Sequence, residues 1–238
     1  MDIRALLLGI VFAAMWSSAF ATARVIVAHA PPLASLSLRF LISGLIAVLI
    51  ARMLGQTWRL APQQARAVIL FGLCQNAVYL GLNFIAMQWV EASLAAIIAA
   101  SMPLIAATLA WAVFRERVAP LGILGLILGF AGVGLIMGTR LSGGADPLGV
   151  LLCLIGAAAL AVATLTVRGA STGGNLLMVV GLQMLVGSVT LGLVSALSET
   201  ISVTVTPAFL AAFAYQIFVP GLAATLILSL IHISEPTR

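Results

Sequence analysis

The sequence predicts an all-α integral membrane protein, with eight transmembrane helices readable in the chain. Three observations carry this. Hydrophobic residues make up 63% of the 238 positions and charged residues 7%, against about 45–50% and about 25% in soluble domains. So few charges cannot cover a water-facing surface, and lipid must be the main solvent. The apolar residues fall into runs of the length that crosses a bilayer, about 20 residues at about 1.5 Å each. Alternating strand patterns are absent, so the backbone must satisfy itself within helices.

The runs are 5–27, 34–54, 67–87, 92–114, 119–138, 148–167, 175–197 and 208–227. The first follows Arg4 and contains Ala19-Phe20-Ala21, which mimics a secretory signal. No hydrophilic mature domain follows, so it reads as a retained helix. The second carries Arg39 near its outer end and closes on Arg52. The third follows Arg59 and Arg66 and holds Gln75, Asn76, Tyr79 and Asn83. The fourth opens at Glu91, contains Pro103, and ends before Arg115 and Arg117, while the fifth is glycine-rich. The sixth ends at Arg168, and the last two follow on short links. With the N-terminus in the cytoplasm, Arg4, Arg52, Arg59, Arg66, Arg115, Arg117 and Arg168 lie inside. Only Arg24, Arg39 and Arg140 lie toward the other side. That asymmetry predicts a multi-pass inner-membrane protein with a cytoplasmic N-terminus.

The net charge of +5 comes from scattered arginines, with no lysine. It reads as topology, and nucleic acid is not an expected partner. Cys74 and Cys153 each stand alone in an apolar run, so neither a disulfide nor a metal site is expected. No glycine-rich phosphate loop follows a strand, and no cofactor is implied.

The longest polar link, "TRLSGGADPLG" at 139–149, falls after five helices. An odd number of helices makes a second such unit enter with opposite orientation, the inverted-repeat arrangement of many secondary transporters. The segments are 1–138 for the first unit, 139–147 for the linker and 148–227 for the second.

The stretches "MWSSAFATARVIV" at 15–27, "PPLASLSLRFLISGLIA" at 31–47 and "EASLAAIIAASMPLIAATLAWAVFRERVAPLGILGLILGFAGVGLIMG" at 91–138 resemble the EamA-type repeat of the drug/metabolite transporter superfamily. "VPGLAATLI" at 219–227 is similar to it as well. The resemblance implies ten helices in two inverted five-helix repeats, and export or exchange of small metabolites, amino-acid-like or related solutes. Eight of the ten are present. The ending "LSLIHISEPTR" at 228–238 breaks the apolar pattern, and back-translated it is similar to a transposase adapter used in sequencing libraries. The expectation is therefore a native frame that continues past Ile227 into two further spans, and a fragment that does not transport on its own.

Polar side chains are costly in lipid and usually face other helices or a cavity. Asn76, Tyr79 and Asn83 share one helix face at spacings of three and four. They are candidates to line a substrate cavity, or to tie helix 3 to its neighbours. Trp16, near mid-membrane on a face with Phe20 and Arg24, is a candidate cavity wall. Arg39, with Arg24 and Glu91 at one depth, is a candidate outer gate or seat for a substrate carboxylate. Snorkelling of the arginines and a helix-dipole role for Glu91 are the alternatives. Pro103 should kink helix 4, as a hinge or as a packing bend. Ala92, Ala96 and Ala100, and the pairs Gly125/Gly129 and Gly134/Gly138, read as closely packed small-residue faces. No acid lies mid-span, so a buried-carboxylate proton relay is not supported. The predicted function is secondary transport of small organic solutes. A non-transporting membrane scaffold is the alternative, and a membrane enzyme is the weakest reading because no catalytic constellation is present.

Overall fold

The computed structural model describes residues 3–113, 115–167 and 174–223. They form α1 (Ile3–Val27), α2 (Pro32–Met53), α3 (Pro62–Ala86), α4 (Ala92–Ala112), α5 (Pro120–Ser142), α6 (Pro147–Thr166), α7 (Leu176–Ser198) and α8 (Pro207–Ala223). Among the described residues there is no strand. Seven of the helices are long and apolar enough to cross a membrane, and the described part of α8 is shorter. The chain is an all-α, multi-pass membrane protein. The predicted spans correspond to these eight helices in order. Residue 114, Arg168 and residues 224–227 at the end of the last predicted span lie outside the described residues, as does the 228–238 ending.

Five of the eight helices begin before their apolar runs, α3 by five residues, and α4, α5 and α7 begin within one residue of theirs. Pro32, Pro62, Pro120, Pro147 and Pro207 each stand at the first helical position, where a missing N–H costs nothing and the fixed φ suits the helix. Side chains cap several of these starts. Asp146 Oδ1 accepts from Gly149 N at 2.7 Å, Thr206 Oγ1 accepts from Phe209 N at 3.1 Å, and Gln64 Oε1 accepts from Ala61 N at 3.1 Å.

The centre of the molecule is the antiparallel pair α2 and α7. A Cβ on Gly44 would stand 3.1 Å from the Gly181 carbonyl, and one on Gly181 would stand 3.0 Å from Val48 N. The backbones meet directly, which only small residues permit. Both ends of the pair are clamped in the same way. Glu199, just beyond α7, accepts from Leu33 N and Ala34 N at the start of α2, both at 2.9 Å. Gln56, just beyond α2, accepts from Met178 N at the start of α7 at 2.9 Å. Each helix thus closes the other's exposed amides.

Around this pair α1 packs on α8, and α3 packs on α6. Both α3 and α8 pass from α-helical to π-helical winding ten residues after their first proline, at Gly72 and at Ile217. Exchanging each helix for the one five places along maps these contacts, and these π segments, onto one another.

One packing expectation fails. None of the described residues of α5 is buried, and a Cβ on Gly125, Gly134 or Gly138 would meet nothing within 4 Å. Only Gly129 of the two predicted pairs meets a neighbour, the Leu104 side chain of α4. The small residues are there, but among the described residues no second helix lies against Gly125, Gly134 or Gly138.

Candidate functional site

A cavity of ≈ 960 Å³ runs between α1, α2, α3, α4, α6, α7 and α8. Trp16, Arg39, Asn76, Tyr79, Asn83 and Pro103 all border it. Glu91 does not. It is exposed at the start of α4 and pairs at 3.2 Å with Arg140 in the last turn of α5. The predicted cluster of Arg24, Arg39 and Glu91 is therefore three separate contacts. Arg24 donates from Nη1 to the Met87 carbonyl at the C-terminus of α3, a favourable place for a cation. It caps a helix end where snorkelling or a gate was the expectation.

Arg39 sits seven residues past Pro32, two turns into α2, and is buried at 5% exposure. Its Nε donates to the Gln216 carbonyl at 3.1 Å. Four residues beyond Gln216 stands Pro220, which has no N–H to offer that carbonyl. Ser43 Oγ donates to the next carbonyl, that of Ile217, at 3.3 Å. A Cβ on Gly221 would stand 2.8 Å from Ser43 Oγ, so glycine is what lets α2 approach the altered winding of α8.

On α3 the π-helical stretch Gly72–Tyr79 turns Gln75, Asn76 and Tyr79 toward the cavity, as such insertions often do at functional sites. These residues also meet neighbouring helices. A Cβ on Gly187 of α7 would stand 2.4 Å from Asn76 Cβ. The Asn83 amide donates to the Tyr79 carbonyl at 2.8 Å and packs on Gly156 of α6. The two sequence alternatives, cavity wall and helix tie, describe the same side chains seen from two sides. Tyr79 Oη, Asn83 Oδ1 and Gln216 Oε1 are buried with no hydrogen-bond partner among the described residues.

The helix of α4 breaks between Ala92–Ala100 and Met102–Ala112. Pro103 supplies the cause, and Ser101 Oγ donates to the Ile98 carbonyl at 2.6 Å inside the bend. Ala96 and Ala100, expected on a packed face, border the cavity there. Their small side chains leave space.

Sequence reasoning placed its candidates on the first four helices and missed two amides on later ones. Gln183 of α7 and Gln216 of α8 also border the cavity. Gln216 Nε2 donates to the Ala19 carbonyl at 2.6 Å and to Thr22 Oγ1 at 2.9 Å, and Tyr215 Oη meets Ser18 Oγ at 2.6 Å, fastening α8 to α1. The signal was available: both are amides inside apolar runs. A second hollow of ≈ 690 Å³ lies between α3, α7 and the α2–α3 link, walled by Val68, Leu182, Val186 and other aliphatic side chains together with Trp58. Its one aliphatic hydroxyl, on Thr190, already donates to the Val186 carbonyl at 2.9 Å, so this hollow has little with which to recognise a polar solute.

Comparison with known proteins agrees with this architecture. The model of the EamA-like transporter family matches residues 3–138. An "Uncharacterized transporter YvbV" of Bacillus subtilis (strain 168) is 29% identical over 176 residues, covering 74% of this chain and 57% of that protein. The match thus spans little more than half of the relative's length. A crystal structure described only as that of a protein has the same fold, with a TM-score of 0.60 at 20% identity, covering 100% of this chain and 91% of the other.

Proposed function

Because this chain belongs to the EamA-like transporter family, we propose that it moves small organic solutes across the inner membrane as a secondary transporter, in export or exchange. Its N-terminus lies in the cytoplasm. The observation that carries the reading is the ≈ 960 Å³ cavity with amide, indole, hydroxyl and guanidinium groups inside an otherwise apolar bundle. Polar groups at that depth are retained for a solute or for one another, and the volume is that of a small-molecule site. The helix exchange described above supports two units of opposite orientation with the cavity between them, 1–138 and 148 onward. The alternating-access motion of such pairs rocks one unit against the other around a fixed midplane site. Trp16, Arg39, Asn76, Tyr79, Asn83 and Pro103 form the substrate site in this reading. Glu91 is left out of it by its place outside the cavity.

The test is release from proteoliposomes. Protein expressed from its source gene is reconstituted around a defined mixture of amino acids and organic acids, and efflux is followed by mass spectrometry. The expected result is release of a subset of solutes, chemically unchanged. Release at the rate of protein-free liposomes for every solute would contradict transport, and conversion of a solute to a product would indicate an enzyme.

A further inference from the structure

A buried cation without a counter-charge asks for an explanation. Moving a charge out of water is expensive unless it is paired. Arg39 is 5% exposed, forms no salt bridge among the described residues, donates through Nε to a neutral carbonyl, and lies over the Phe40 ring with Cζ 5.0 Å from its centroid, a contact that takes none of its hydrogen bonds. A guanidinium has five N–H donors. Holding the Gln216 carbonyl therefore accounts for one of five and for none of the charge.

The scaffold does not require a cation here. In the exchange that carries α2 onto α7, Arg39, seven residues after Pro32, corresponds to Gln183, seven residues after Leu176. Gln183 also borders the cavity and does so with a neutral amide. The charge at position 39 belongs to one side of the cavity alone. No Asp or Glu is among the residues bordering the cavity. The remaining wall is largely aliphatic, with amides and the aromatic rings of Trp16, Phe20, Phe71 and Phe84 set into it.

Resting on the transporter reading above, we propose that the solute is a monoanion: an organic carboxylate with an apolar or aromatic body and no ammonium group, its carboxylate seated on the free N–H groups of Arg39. A zwitterion would bring an ammonium into a cavity that offers it no carboxylate. A dianion would bring a second charge to a single cation. The planar fork of arginine matches a carboxylate with two parallel hydrogen bonds, and the aromatic wall takes the body.

Three probes that share a phenyl ring and a three-carbon chain decide the matter: 3-phenyllactate, phenylalanine and phenylalaninol. At about pH 7 they are an anion, a zwitterion and a cation. Saturation binding of each tritiated probe to the detergent-purified protein is measured by scintillation proximity. Phenyllactate is expected to bind at least about tenfold more tightly than phenylalanine, with no saturable binding of phenylalaninol. Arg39→Gln should abolish that order, and Arg39→Lys, which keeps the charge, should preserve it. If Arg39→Gln does not fold, the wild-type series and Arg39→Lys still decide. Equal or tighter binding of phenylalanine or phenylalaninol, no binding of any probe, or an unchanged order in folded Arg39→Gln would overturn the proposal. Ordered binding without flux in proteoliposomes would sink the transport reading and leave the anion site standing.

Discussion

Arg24 and Arg39 enter the bundle from the same side, on adjacent helices, and their surroundings separate them. Arg24 is exposed and holds a helix end at Met87. Arg39 is buried against Gln216 and borders the cavity. Charge-assisted hydrogen bonds contribute about 1.5–3 kcal/mol, so Arg39→Ala should lower solute flux about tenfold or more at matched membrane expression. Arg24→Ala should stay within about twofold, since losing an exposed helix-end charge costs only about 0.3–1 kcal/mol. Initial efflux rates of the two variants, normalised to protein in the liposomes, check this. The sequence ranks the two by depth alone. It does not show that the α3 C-terminus lies beside Arg24, because that neighbour is 63 residues away along the chain. The same holds for Glu91, whose partner Arg140 becomes visible only when α5 folds back beside α4. The triplet Asn76, Tyr79 and Asn83 was legible, since three polar residues on one face of an apolar helix need only local spacing. Gln183 and Gln216 belong to the same site through packing between distant helices, which local spacing does not show.

At the scale of helices, the α2–α7 pair carries the most specific contacts. Glu199 satisfies two amides of α2 and also accepts from Ser195 Oγ at 2.7 Å. Glu199→Ala should cost about 1–2 kcal/mol, as for the loss of a helix cap, and Glu199→Gln less, because an acceptor remains. Reversible unfolding in mixed micelles measures both. Gly181→Leu should be far worse, since its Cβ would stand 2.9 Å from Val48 Cγ2 and 3.0 Å from Val48 N. Overpacking typically costs about 1–3 kcal/mol, and here the obstacle is backbone, so the variant is expected to be degraded in cells. Existence and order of the helices followed from run length. Their starts followed within two residues except that of α3, where Gln63, Gln64 and Arg66 read as a polar link although Pro62 already begins the helix. The π-helical stretch Gly72–Tyr79 was not legible either, since its residues are ordinary for an apolar helix and its close neighbours lie far along the chain. A Cβ on Gly72 would stand 2.8 Å from the Gln183 carbonyl.

For the molecule as a whole, an apolar bundle closes around a mostly apolar cavity that carries a few amide, hydroxyl and guanidinium groups. The walls are drawn from both sides of the 139–149 link, with α1 through α4 on one side and α6 through α8 on the other. The most direct measurement is therefore efflux from proteoliposomes with the cavity open and with it plugged. Ala100 borders the cavity and is itself exposed, so Ala100→Trp fills space without displacing a buried neighbour. The account predicts release of unmodified organic solutes by the native protein, and at least about a tenfold loss in Ala100→Trp, equivalent to about 1.4 kcal/mol on the barrier, with an unchanged melting temperature. Undiminished release from a correctly folded Ala100→Trp protein would contradict it.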